Sequence, residues 1–224
     1  MNFRKLIFFS LLFSCNTIVL HAQQDQWSSS QLYKELNKLR QTTRVLYIAA
    51  HPDDENTRML TYLANGRQFE TAYLSLTRGD GGQNLIGEEQ GKYLGLIRAS
   101  ELMAARSIDG ARQFFTRAVD FGYSKSADET LSLWGKDSIL ADVVWVIRNF
   151  KPDIIITRFP PDERAGHGHH TTSAILALEA FEAAADPMQF PNQLQYTSTW
   201  QVNRVFWNAS SWWDNTLPDR VDNK

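Results

Sequence analysis

The chain has 224 residues, 43% hydrophobic and 12% aromatic, with 25 acidic side chains against 23 basic ones. That apolar fraction, with 21% charge and 7 tryptophans, excludes a disordered or collagen-like chain and suggests one large domain or a domain with an appendage. The near balance of charge gives no argument for nucleic acid as a partner, and the single cysteine permits neither an internal disulfide nor a thiolate zinc site, so any metal must be held by His and carboxylate.

Residues 1–22 carry the pattern of a secretory signal peptide: basic Arg4-Lys5, an apolar run from Leu6 to Leu20, then His21-Ala22 before polar Gln23. The run is too short for a transmembrane span. This predicts export to a periplasmic or extracellular location, with the mature domain covering 23–224. Leu12-Phe13-Ser14-Cys15 loosely resembles a lipobox, so a lipid anchor on Cys15 is the second-ranked alternative.

Apolar spacing predicts a first helix over 28–42 and a buried strand over 45–50. A helix over 56–64, stopped by Asn65-Gly66, leads to a second strand over 71–76. A glycine-rich loop precedes a long helix over 94–107, and 113–115 has strand character. The stretch 124–130 reads as polar and without a regular element. An amphipathic helix over 139–150, a strand over 153–157, an alanine-rich helix over 172–185 and a strand over 205–207 complete the series. This alternation predicts an α/β fold: a Rossmann-like, mostly parallel sheet with helices on both faces and ligands beyond the strand ends.

Two strand-end loops carry the chemistry. Ala50-His51-Pro52-Asp53-Asp54-Glu55 leaves the first strand and opens a helix. Proline and acidic residues suit a helix start, but capping gives no reason for His51. A histidine and a carboxylate three apart can converge on one ion, whereas Asp53 between them points elsewhere and stays free. Glu55 is more consistent with capping or support than with ligation. The second cluster is Gly166-His167-Gly168-His169-His170, where His167 and His170 can face one way and His169 falls out of phase. His51, Asp54 and His170 as ligands give two nitrogens and one oxygen with an open position, the signature of a catalytic zinc. The same donors also suit iron(II).

These motifs resemble the PIG-L (LmbE-like) family of zinc-dependent N-acetylglucosaminyl deacetylases. The resemblance takes in Leu76-Thr77-Arg78-Gly79-Asp80-Gly81-Gly82-Gln83 and so covers most of the mature chain. It implies an LmbE-like fold, His51, Asp54 and His170 as zinc ligands, Asp53 as general base, His167 as a second catalytic group and Arg78 in substrate binding. It further implies an N-acetylated sugar or glycoconjugate as substrate, hydrolysed by zinc-bound water to acetate and free amine. His169 stands where many relatives carry Asp, which puts the tuning of His167 in question. A catalytically silent carbohydrate-binding module on the same fold is the alternative. The aglycone and oligomeric state are not legible, the polar end of the chain leaves a longer polypeptide open, and the Trp200, Trp207, Trp212, Trp213 group suits packing better than sugar stacking.

Overall fold

The computed structural model describes residues 27–211 and Thr216. The leader, Cys15, Trp212 and Trp213 lie outside the described residues. The chain divides into two units, one ending at Arg40 and a larger one beginning at Gln41. The described part of the first is helix α1 (Ser29–Lys38), opened by a capping box in which Ser28 Oγ accepts from Gln31 N and Gln31 Oε1 accepts from Ser28 N.

The larger unit is built on five strands: β1 (Arg44–Ala49), β2 (Glu70–Ser75), β3 (Arg112–Phe115), β4 (Ile154–Thr157) and β5 (Arg204–Trp207). Their order across the sheet is β3-β2-β1-β4-β5 and every pair is parallel. Register pairs Val45 with Thr71 on one side and with Ile154 on the other. The sequence therefore winds outward from β1 in both directions, and the crevice between β1 and β4 is where such a sheet opens for a ligand.

Burial on both faces explains the unbroken apolar strand β1. Leu46, Ile48 and Leu74 point into a core with Val143, Ile147, Leu176 and Ala180, side chains of α5 (Lys136–Phe150) and α6 (Gly168–Ala183). Leu131 and Trp134 of α4 (Ala127–Trp134) pack against that core. Tyr47, Ala49 and Tyr73 point the other way, onto Leu60 of α2 (Thr57–Thr61) and Leu102 of α3 (Lys92–Asp109).

Most expected elements are present with ends shifted by a few residues. Two differ more. The stretch 124–130, expected to be irregular, instead starts α4, because Ser126 Oγ accepts from Glu129 N and caps it while Asp128 and Glu129 suit its first turn. Helix α6 begins at Gly168, not Thr172, so His169 and His170 lie inside its first turn. Among the described residues no helix is long and apolar enough to cross a membrane.

Candidate metal and catalytic site

The loop after β1 and the first turn of α6 meet at the β1–β4 crevice. His51 follows the end of β1, and its backbone N–H donates to Asp54 Oδ2 at 2.7 Å, folding the turn so that both side chains face inward. His51 Nδ1 lies 3.3 Å from Asp54 Oδ2, and His170 Nε2 lies 3.5 Å from Asp54 Oδ1. His51, Asp54 and His170 each bring one donor to within 4.8 Å of the others, and so do His51, His167 and His169. The two sets share His51.

Their geometries are not equivalent. Nitrogens about 2.0–2.1 Å from a tetrahedral ion stand roughly 3.3 Å apart. The contacts around Asp54 match that spacing, whereas His51 Nε2 and His169 Nδ1 are 2.9 Å apart, a hydrogen bond. The residues thus fit a divalent ion best at His51, Asp54 and His170. His170 is held for this from two sides, by Nδ1 against Ala165 O at 3.2 Å and by Phe159 stacked on its ring at a 3.8 Å centroid distance. The turn's shape also depends on Tyr73, whose hydroxyl donates to His51 O.

Electrostatics keeps the cluster mostly uncharged. Burial disfavours the His51 cation, but the hydrogen bond and charge of Asp54, with Asp120 nearby, outweigh it and the net shift is upward. Burial also opposes ionisation of Asp54, yet its bonds to His51 hold its pKa below the ordinary value. Burial lowers His170, and burial together with the neighbouring imidazoles pushes His167 down to about 4 and His169 to about 3.

His167 caps α6, its Nδ1 accepting from His169 N at 3.0 Å. Nε2 faces a second backbone donor, Ser124 N–H at 3.4 Å; a neutral imidazole accepts at one nitrogen only, so a ring that keeps the shorter cap bond at Nδ1 carries its proton on Nε2 and gives up the Ser124 bond. His167 also lines an 840 Å³ cleft with Lys125, Asp128, Asp162, Glu163 and Arg164. The last three form a short turn in which Asp162 pairs with Arg164 at 2.7 Å.

Asp53 does not join the ligand set. It faces another side of the turn, as expected, but it is not free: its Oδ2 accepts from Arg98 Nη2 at 2.8 Å. Its φ of 94° is unusual for a residue with a Cβ and costs on the order of 1–3 kcal/mol, sustained only where neighbours over-determine it. Arg78 lies over the Phe115 ring, with Nη1 donating to Thr116 O at 2.8 Å. Glu55 is not a ligand; it accepts from Asp53 N and from Arg106.

Two residues were not anticipated. His169, expected out of phase, is fully buried and bonds His51, because its ring turns inward against Phe121 and Trp134. Asp120, in the segment after β3, stands 4.0 Å from His51 Nε2 and 3.7 Å from His169 Nδ1. Its signal in the sequence was position alone: the rule that ligands gather at strand ends applies to β3 as much as to β1 and β4.

Residues 46–181 match the family model described as PIG-L: GlcNAc-PI de-N-acetylase. A 1D-myo-inositol 2-acetamido-2-deoxy-alpha-D-glucopyranoside deacetylase of Geodermatophilus obscurus is 31% identical over 185 residues, covering 73% of this chain and 60% of its own length. A mycothiol S-conjugate amidase of Streptomyces coelicolor is 28% identical, with 74% and 60% covered. The chain thus spans about 60% of the length of these curated relatives. Among solved structures, N,N′-diacetylchitobiose deacetylase from Pyrococcus horikoshii aligns with a TM-score of 0.56 at 18% identity, over 80% of this chain and 68% of the other, a likeness of fold.

Proposed function

We propose, since the chain belongs to the PIG-L family, that it is a metal-dependent deacetylase that hydrolyses the acetamide of an N-acetylglucosamine-type substrate to acetate and a free amine. The observation that carries this is the convergence of His51, Asp54 and His170 at ligand spacing in the β1–β4 crevice. By their names, one relative deacetylates a 2-acetamido-2-deoxy-glucopyranoside of inositol and the other is an amidase.

His51, Asp54 and His170 would hold zinc, with iron(II) an alternative for the same donors. When bound, the ion supplies a Lewis acid that acidifies water and polarises an amide carbonyl. Asp53 takes the proton of the attacking water and delivers it to the departing nitrogen. His167, neutral and protonated on Nε2, donates to the oxygen that gains charge as the carbonyl becomes tetrahedral, a contact worth roughly 3 kcal/mol in other enzymes. Arg78, anchored on Thr116 O through Nη1, offers its other N–H groups to a sugar hydroxyl. The leader sequence supports export to a periplasmic or extracellular place of work, with a mature chain from Gln23.

The test is metal analysis of the purified chain beside acetate release from N,N′-diacetylchitobiose. One zinc per chain with acetate release, both lost in His170→Ala, is expected. A chain without metal that binds chitooligosaccharides and releases no acetate would make it a carbohydrate-binding module instead.

A further inference from the structure

The loop Gly79-Asp80-Gly81-Gly82 lacks a nucleotide-binding pattern, and its glycines serve a different purpose. The Arg98 side chain passes against it. A Cβ on Gly79, itself at φ +73°, would lie 3.0 Å from Arg98 Cδ, and one on Gly82 would lie 2.9 Å from Nη1. Through this passage Arg98 reaches from α3 to the His51–Asp54 turn, where Nη2 donates to Pro52 O at 2.7 Å and to Asp53 Oδ2 at 2.8 Å.

The opposite flank of Asp53 is held as firmly. Its backbone N–H donates to Glu55 Oε2 at 3.0 Å, and Glu55 Oε1 accepts from Arg106 Nη2 at 3.3 Å. Arg106 is buried and fixed in turn by both carboxylate oxygens of Asp109. A carbonyl, a carboxylate oxygen and an amide N–H on two adjacent residues are thus pinned from two sides, around a backbone in the left-handed region. Neither arginine contacts the metal-ligand atoms.

We propose that Arg98 is a positioning residue that aims the Asp53 carboxylate, with Gly79 and Gly82 keeping its passage open and Glu55–Arg106 fixing the Asp53 backbone. This rests on the reading of Asp53 as general base. By engaging Oδ2, Arg98 leaves Oδ1 as the oxygen that receives the proton. Loss of this aim slows the chemical step and leaves metal affinity and substrate binding in place.

The experiment uses the zinc-loaded full chain and N,N′-diacetylchitobiose, or another N-acetylglucosamine compound that the unaltered chain deacetylates. It reads kcat, KM, bound zinc and Tm for each variant. Asp53→Asn separates the two ideas: near-normal turnover there removes the base assignment and this proposal with it. With Asp53→Asn inactive, Arg98→Met is expected to lower kcat about 100-fold with KM and zinc content unchanged. Arg98→Lys recovers part of the loss, since a single ammonium reproduces the charge but not the planar fork. Gly82→Ala keeps the guanidinium but crowds its passage; it lowers kcat about tenfold and adds nothing to Arg98→Met, as coupled residues do. A kcat within twofold of the unaltered chain in both Arg98→Met and Gly82→Ala overturns the proposal. So does a loss of kcat that merely tracks falling zinc content and Tm.

Discussion

Four imidazoles share one small volume. Ring centroids of His51, His167, His169 and His170 lie 4.8–5.4 Å apart wherever they pair, a density that disfavours more than one charged ring. His167, His169 and His170 all have folded-state pKa values below the ordinary 6.5. As pH falls through 6.5 the unfolded chain takes up protons that the native state refuses, so the stabilisation these rings enjoy is complete above that pH and lost progressively toward about 4. His51, raised by Asp54, works in the opposite direction, but it is one ring against three. Thermal denaturation of the chelator-treated chain should therefore show a Tm that falls from pH 7 to pH 5. His169→Asn, which removes one refused proton, should flatten that fall, and a Tm that is constant or rises on acidification would contradict the assignment of neutral rings.

At the scale of elements, α6 carries two site residues in its first turn, and its far end is held by an unusual group. Arg148 of α5 is fully buried, and its guanidinium donates to the carbonyls of Ala183, Ala184, Asp186, Gln189 and Phe190. These are the orphan acceptors of a helix C-terminus and the turn beyond it, satisfied by a cation at the negative end of the helix dipole. Burial lowers the Arg148 pKa but leaves arginine charged. Arg148→Met should cost about 3–5 kcal/mol of stability in urea denaturation, because several buried carbonyls lose their donor together. A loss below about 1 kcal/mol would show that water takes over the cap. Nothing in the sequence distinguishes Arg148 from a surface arginine on an amphipathic helix, since its role depends on the path of residues 183–190. The same limit applied to α4: its first turn after the Ser126 cap is polar, and its core-facing Leu131 and Trp134 come only in the second half of an eight-residue helix, too little to announce it. Asn208 spends its Oδ1 as acceptor for Tyr47 and Asn56, a use only the fold reveals.

For the molecule as a whole, the parallel sheet was legible because both of its faces are covered, which leaves strands such as 45–49 as unbroken apolar runs. The inward-facing pair His51 and Asp54 was legible from spacing, and their meeting with His170 from the rule that this topology gathers ligands at strand ends. What spacing left open were contacts made across the fold: Arg98 onto Asp53, Glu55 onto Arg106, and Asp120 beside His51. Each joins segments more than forty residues apart, where no local periodicity reports proximity. The central claim is that a divalent ion held by His51, Asp54 and His170 drives amide hydrolysis. Its most direct measurement is the stoichiometry of acetate and free amine released from N,N′-diacetylchitobiose before chelation, after chelation and after zinc is returned. Equal amounts of both products, abolished by the chelator and restored by zinc, are the result predicted here; hydrolysis that persists in the metal-free chain, or none in a chain holding one zinc, would contradict it.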